Sequence, residues 1–330
     1  MALCASRITM VIDDTANTEN ALYRSSGGRQ HRFVVLIMAS LALIVGVMLP
    51  VLSIEQQFWI VLLPIGVLGL SHGGADPMIL KQLTATSPMG LAIVTGVYLA
   101  ASLAFIALIW VLPVVALLVF LGLSIWHFGY TDEAFLSSAK NSLLRWLSGS
   151  MPILGPMLGY PQQTSELFAW LIKTEPQAVL DIVAWLGPCL AVFWLFGFGC
   201  LLLRRFNRPA PRVLAELCLV SAALTALPPL LGFAFYFCAI HSVRHFLSIA
   251  EHRLLSNQKR LFQAFPVRKI LPATLGAIAL ACVAWGVIVL IGPSTSLLVD
   301  AVRVMFWALA ALTLPHAIIV RLWWNQKLTE

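Results

Sequence analysis

The chain has 330 residues, of which 60% are hydrophobic and 11% charged, against about 45–50% and about 25% for soluble domains. That balance excludes folding around one aqueous core and points to a chain solvated by lipid, with no separate soluble domain. The formal net charge of +7 would suit a nucleic-acid partner only if the basic residues formed a patch, whereas here they fall between apolar runs.

A hydrocarbon layer about 30 Å thick takes about 20 apolar residues per helical span. Residues 1–32 are polar and hold no apolar signal core before Phe33, so they read as a disordered cytoplasmic tail. Spans are then expected at 33–53, 57–79, 89–110, 112–130, 143–160, 179–203, 213–227, 231–250, 271–291 and 301–323, with the fifth and seventh carrying the weakest signal. Pro50, Pro88, Pro113, Pro228-Pro229 and Gly292-Pro293 punctuate these runs where helices should stop. The fold class is an all-α polytopic transmembrane helix bundle of about ten spans, in a range of eight to ten. Residues 33–323 form the membrane domain and 324–330 a short C-terminal tail.

With the N-terminus inside, every Lys and Arg among the 21 falls in an inner segment except Lys173, Arg303 and the intramembrane Arg244. This positive-inside pattern accounts for the basic charge without nucleic acid, and it places both termini in the cytoplasm and the chain in the cell (inner) membrane. The cysteines Cys4, Cys189, Cys200, Cys218, Cys238 and Cys282 show no CxxC spacing, and all but Cys4 lie in apolar runs. Those five read as small buried fillers rather than disulfides or thiolate ligands.

The topology then fixes where polar intramembrane residues lie. His72, His127, His241 with His245, and His316 occupy the second, fourth, eighth and tenth spans, all of which run from outside to inside. Each histidine sits in the inner half of its span, so four helices bring imidazoles to one depth. His31 in the tail and His252 at the inner boundary stand apart. Ionisable groups inside a bilayer are costly and face a bundle interior or a cavity. One such histidine would be as well explained by an interhelical hydrogen bond. Five at one level point to a shared metal, the more so because His241 and His245 are an i, i+4 pair on one helix face. Imidazole nitrogens suit zinc, copper, nickel or iron alike.

Asp76 follows His72 by one helical turn and Asp132 lies just beyond His127, so either carboxylate can orient a ligand imidazole. Asp132 and Glu133 also read as simple markers of the aqueous boundary, and that is the expectation for both. Arg244 cannot face lipid. It either pairs with Glu216 near the inner end of the preceding span or reaches the reacting groups around the metal. Trp126, Phe128, Phe233, Phe235, Tyr236, Phe237 and Phe246 beside these motifs are candidates to line a substrate channel.

The segments GLSHGGADPMIL (69–80), LSIWHFGYTDE (123–133), FYFCAIHSVRHF (235–246) and TLPHAIIV (313–320) resemble the Brp/Blh family of bacterial and archaeal membrane β-carotene 15,15′-dioxygenases. Four separated histidine motifs occur in the family's order, and the HSxRH element is the most distinctive. Ser71 stands where the family pattern has proline, and Gly74-Ala75 where it has Ala-Leu, while His72 and Asp76 are kept. The resemblance implies Fe(2+) held by His72, His127, His241 and His245. It leaves His316, with Asp76, as an additional ligand or a hydrogen-bonding support, and Tyr236 and Arg244 as channel or structural polar groups. It also implies cleavage of the central double bond of β-carotene with O2 to give two retinal molecules, within the lipid bilayer and with a possible link to a retinal-binding opsin. An intramembrane metal or proton transporter is the rival reading, although it should spread its histidines across the membrane. An opsin needs an intramembrane lysine, and Lys81, Lys140, Lys173, Lys259, Lys269 and Lys327 all lie in loops or termini. A membrane cytochrome would pair its histidines across a haem.

Overall fold

The computed structural model describes residues 21–48, 51–84, 87–204, 209–255, 267–291 and 296–326. Among these the chain is helical, with no strand. We number the helices α1 Ser26–Met48, α2 Ile54–Leu83, α3 Pro88–Val111, α4 Pro113–Leu136, α5 Ser142–Gly159, α6 Pro161–Ile172, α7 Pro176–Leu203, α8 Pro211–Ala226, α9 Pro229–Ala250, α10 Val267–Ile291 and α11 Leu297–Gln326. Cys4, Pro50 and Gly292-Pro293 lie outside the described residues.

Of the prolines that the sequence suggested as boundaries, Pro88, Pro113 and Pro229 open helices. Pro161, Pro176 and Pro211, not singled out there, do the same, each in the first turn, where a missing N–H costs no hydrogen bond. Ser53 caps α2 through a capping box with Gln56, and the Ser87 hydroxyl accepts from Gly90 N–H at the start of α3.

Among the described residues, eight helices are long and apolar enough to cross a membrane, namely α1, α2, α3, α4, α7, α9, α10 and α11. Their large side chains point outward: Trp185 is 71%, Phe193 72% and Leu290 85% exposed, a surface that only lipid solvates well. The two weakest expected spans exist as α5, of 18 residues, and α8, of 16, but they fall outside this group, so the count comes to the lower end of the expected range. The physical reason is that α8, at 16 residues, is short and α5 carries Arg145 and three serines, while each packs a broad face against protein. Leu144, Leu147, Met151, Leu154, Leu217 and Leu224 are all buried, and helices in such a place can carry polar and proline residues that lipid would reject. α6 was not expected at all, because its 12 residues are too few for a span.

The start of the described residues meets the last helix on one side of the bundle, where Leu22, Phe135 and Leu247 pack with Trp324. There the expected tail needs correction from residue 21 onward. A turn at Ala21–Arg24 leads into α1 at Ser26, and Arg32 is buried with its guanidinium donating to Phe135 O at 2.8 Å and Tyr23 O at 2.9 Å. His31 sets its ring edge-on against Phe135. This segment is anchored by polar contacts to distant backbone, which leave no apolar periodicity in the sequence. At the opposite end Gln57 ties three elements together. Its amide nitrogen donates to Leu52 O and to Gln163, and its oxygen accepts from Leu230 N–H at the start of α9.

α4 and α5 cross at backbone contact. A Cβ on Gly149 would stand 2.2 Å from Ile125 O, and one on Gly129 would stand 2.1 Å from Arg145 O. Only glycine permits that approach, which sets the depth of His127 two residues earlier on α4.

Candidate metal centre

α2 and α9 do not run as uniform α-helices. Each contains a π-helical stretch, Ile65–Gly69 in α2 directly after Pro64 and Phe235–His241 in α9. The missing N–H of Pro64 already breaks the ladder at that point. π-turns of this sort concentrate at functional sites because they re-aim the residues that follow. Here His72 stands just beyond the first stretch, and His241 ends the second with His245 one turn further on.

The structure brings all five intramembrane histidines together. Ring centroids of His72 lie 4.2 Å from His245, 4.4 Å from His316 and 4.7 Å from His241. Those of His127 lie 4.9 Å from His241 and 5.0 Å from His316. One nitrogen each of His72, His245 and His316 falls within 4.8 Å of the others, and the same holds for His72, His127 and His241. His31 belongs to the α1 anchor instead, and the His252 side chain lies outside the described residues.

The chemistry of this set fits a cation. His72 Nδ1, His127 Nε2, both nitrogens of His241, His245 Nε2 and His316 Nε2 are buried without a hydrogen-bond partner. Each such atom costs about 1–3 kcal/mol if left unsatisfied. One borderline-soft ion among them satisfies several at once, and imidazole is a preferred ligand of first-row transition metals.

Asp76 does orient a histidine, but it is His316 rather than its near neighbour His72. His316 Nδ1 meets Asp76 Oδ1 at 2.7 Å, and the Tyr98 hydroxyl donates to Asp76 Oδ2 at 2.7 Å. With Nδ1–H donated to the carboxylate, Nε2 of His316 is left as an acceptor toward the cluster. This carboxylate–imidazole arrangement is how metal-ligating histidines are commonly fixed.

Arg244 forms the expected ion pair with Glu216 and adds a second with Asp132 at 2.5 Å. Tyr236 donates to the other Asp132 oxygen at 2.8 Å. The reading of Asp132 as a marker of the aqueous boundary is therefore overturned, since the carboxylate is 2% exposed and neutralises an arginine inside the bundle. Glu133 is buried as well and accepts from Arg145 and from Asn141 N–H, so it too is more than a marker of the aqueous boundary. The Arg244 network packs behind His241 and His245 and holds their helix against α4 and α8.

A cavity of about 270 Å³ opens in front of the histidines. His72, His127, His241 and His316 form part of its wall, and most of the rest is apolar, including Phe120, Phe128, Phe233, Phe237, Leu309 and Leu312. Of the aromatic channel candidates, Phe128, Phe233 and Phe237 line it. Trp126, Phe235, Tyr236 and Phe246 stand outside that lining. Tyr98 and Phe120 went unremarked in the sequence. A lone tyrosine in the apolar third span was the available signal for Tyr98, while nothing distinguished Phe120 from a packing residue.

Residues 63–324 match the family model described as beta-carotene 15,15′-dioxygenase. The chain is 27% identical over 274 residues to a β-carotene 15,15′-dioxygenase of uncultured marine bacterium 66A03, covering 79% of this chain and 92% of that protein. It is 26% identical over 280 residues to the probable β-carotene 15,15′-dioxygenase Blh of Halobacterium salinarum, covering 77% of this chain and 80% of that one. No solved structure matches. Because the match takes in all five clustered histidines, Asp76 and Arg244, and most of the chain around them, this protein belongs to the β-carotene 15,15′-dioxygenase family.

Proposed function

We propose that the chain cleaves the central double bond of β-carotene with O2, releasing two molecules of retinal into the bilayer. Family membership supports this reading. The observation that carries it is the meeting of five buried imidazoles with unpartnered nitrogens, four of them on the wall of an apolar cavity inside a membrane bundle. In the reaction the double bond breaks, each of its carbons becomes an aldehyde carbon, and the two oxygen atoms of O2 balance the two aldehydes.

The metal is proposed to be Fe(2+), held by His72, His127, His241 and His245, with His316 as a further donor. When bound, iron supplies the activation of dioxygen, which redox-inert zinc does not offer. Asp76 accepts the Nδ1 proton of His316 and keeps Nε2 free for the ion. Phe128 and Phe237 pack beside His241, exclude water and present ring faces to a conjugated chain. Arg244, Asp132, Glu216 and Tyr236 fix the helix that carries the His241–His245 pair. The substrate is insoluble in water and nearly as long as the bilayer is thick, so entry from lipid follows from its chemistry. We place the chain in the cell membrane on the positive-inside pattern, and a retinal-binding membrane protein is the natural recipient of its product. A metal or proton transporter would need polar groups leading away from the histidines, whereas the cavity beside them is walled by Phe120, Phe233, Leu309 and Leu312.

The test is expression in a β-carotene-accumulating bacterium, with retinal and residual carotene quantified by chromatography. The wild type should form retinal, and His241→Ala and His316→Ala should form none. Carotene left intact by well-expressed, iron-loaded wild type would refute cleavage and favour the transporter. Bleaching without retinal would place the cut at another bond.

A further inference from the structure

The histidine cavity is not isolated. A second cavity of about 80 Å³ lies between α4, α5, α6, α9 and α11, and it shares Phe120, Ser124, Phe128 and Phe233 with the first as a common partition. A third, of about 20 Å³, shares Leu117, Phe120, Leu171 and Phe306 with the second. On the other side, the histidine cavity reaches Leu99, a side chain 56% exposed on the lipid-facing surface. The three spaces thus run from a lipid-facing mouth, past the histidines, and narrow from about 270 to 80 to 20 Å³.

Their spacing along α4 carries a length. From His127 to Leu117 is roughly ten residues, or about 15 Å at 1.5 Å per residue. A polyene about as long as the hydrocarbon layer, roughly 30 Å, measures the same 15 Å from its central bond to either end. We infer that the second cavity seats one end group of the substrate, that the narrowing near Leu117 fixes which double bond stops beside the histidines, and that Phe233 is the gate between the two spaces. This inference rests on the proposed carotenoid cleavage and adds to it the device that makes the cut central.

The gate follows from volumes and contacts. A cavity of about 80 Å³ has room for roughly five to eight waters at about 10–15 Å³ of such space each, too little for an end group and half a polyene. The partition must therefore move to admit them. Phe233 is suited to do so. Its ring stacks on Phe237 with centroids 5.2 Å apart, and it also meets Phe306 at 5.2 Å. Phe237 in turn stacks on His241, so the gate leads directly to the cluster. Phe233 is also only partly buried, which leaves its ring room to turn.

The experiment compares purified wild type with Leu117→Phe, Leu117→Trp and Phe233→Ala. The substrates are β-carotene and an apocarotenal with one arm shortened by several carbons, and metal content and retention in detergent report folding. Filling the narrow end should lower kcat/KM for β-carotene tenfold or more and turn some product into unequal apocarotenals, while retinal formation from the short-armed substrate holds at the wild-type rate. Phe233→Ala should shift the ratio of the two substrates' kcat/KM by widening the passage, and it is read independently should Leu117→Trp fail to retain metal. Unchanged ratios with retinal as sole product from β-carotene, or equal slowing of both substrates, would overturn the inference. A wild type inert toward both substrates would instead refute carotenoid cleavage itself.

Discussion

Replacing Asp76 with asparagine keeps the side chain's size and removes its charge. Asp76 is 3% exposed, and its two oxygens engage His316 Nδ1 and the Tyr98 hydroxyl, each at 2.7 Å, so no water competes for either bond. Losing a partner of this type weakens metal binding about 10–100-fold, or about 1.4–2.7 kcal/mol at 1.36 kcal/mol per tenfold. Tyr98→Phe leaves the carboxylate in place and removes one neutral donor, so its effect should be nearer 1 kcal/mol. Both values can be read by chelator competition against iron in detergent, with the iron-dependent rise in melting temperature as a second measure. Because Asp76 acts through His316, the double variant Asp76→Asn/His316→Ala should bind iron no more weakly than His316→Ala alone. Wild-type affinity in Asp76→Asn together with weakened binding in His316→Ala would refute the orienting role.

Three further outcomes are expected. Glu216→Ala leaves the Arg244 guanidinium with one carboxylate in place of two, and breaking a buried pair costs about 3–5 kcal/mol, so folded protein recovered from membranes should fall sharply and Glu216→Gln should restore part of it. Gly149→Val sets a side chain against Ile125 O and Gly129 N. It should destabilise the α4–α5 crossing by about 1–3 kcal/mol and lower metal content together with the melting temperature. His31→Ala should retain wild-type iron content and lose only packing, about 0.5–3 kcal/mol of stability, in contrast to His241→Ala, which should lose its iron. Equal iron loss in both would place His31 within reach of the centre.

The eight apolar spans and the common depth of the histidines were legible because lipid demands long apolar runs and tolerates imidazoles only where they are used. α5 and α8 were ambiguous because each packs a broad face against protein, which eases that demand on their sequences. α6 left no mark because a 12-residue helix with mixed faces resembles a loop. Partner choice was the least readable feature. Asp76 sits a turn from His72 in sequence yet serves His316, 240 residues away. Asp132 looked like the edge of the membrane until Arg244 and Tyr236 were seen to claim both its oxygens. Spacing along one helix says which groups share a face, and the crossing of helices decides which of them meet.

The wide turns in α2 and α9 also bear on how such a chain can vary over generations. A π-helical stretch is an α-helix with one residue too many, so deleting a single residue from Ile65–Gly69 would let the ordinary ladder close. The stretch fits its extra residue into about the same rise and rotation as an α-helix without it, so the residues beyond, His72 among them, would stay near their places. The same deletion in Phe235–His241 would leave Arg244 and His245 near theirs and re-aim only the side chains inside the stretch, Tyr236 and Phe237 among them. A deletion in a regular helix has no such reserve: one residue lost from α4 ahead of His127 would turn everything beyond by about 100° and shift it by about 1.5 Å, carrying His127 away from its four companions. An engineer shortening the bundle for expression or crystallisation would do well to leave α4 at full length.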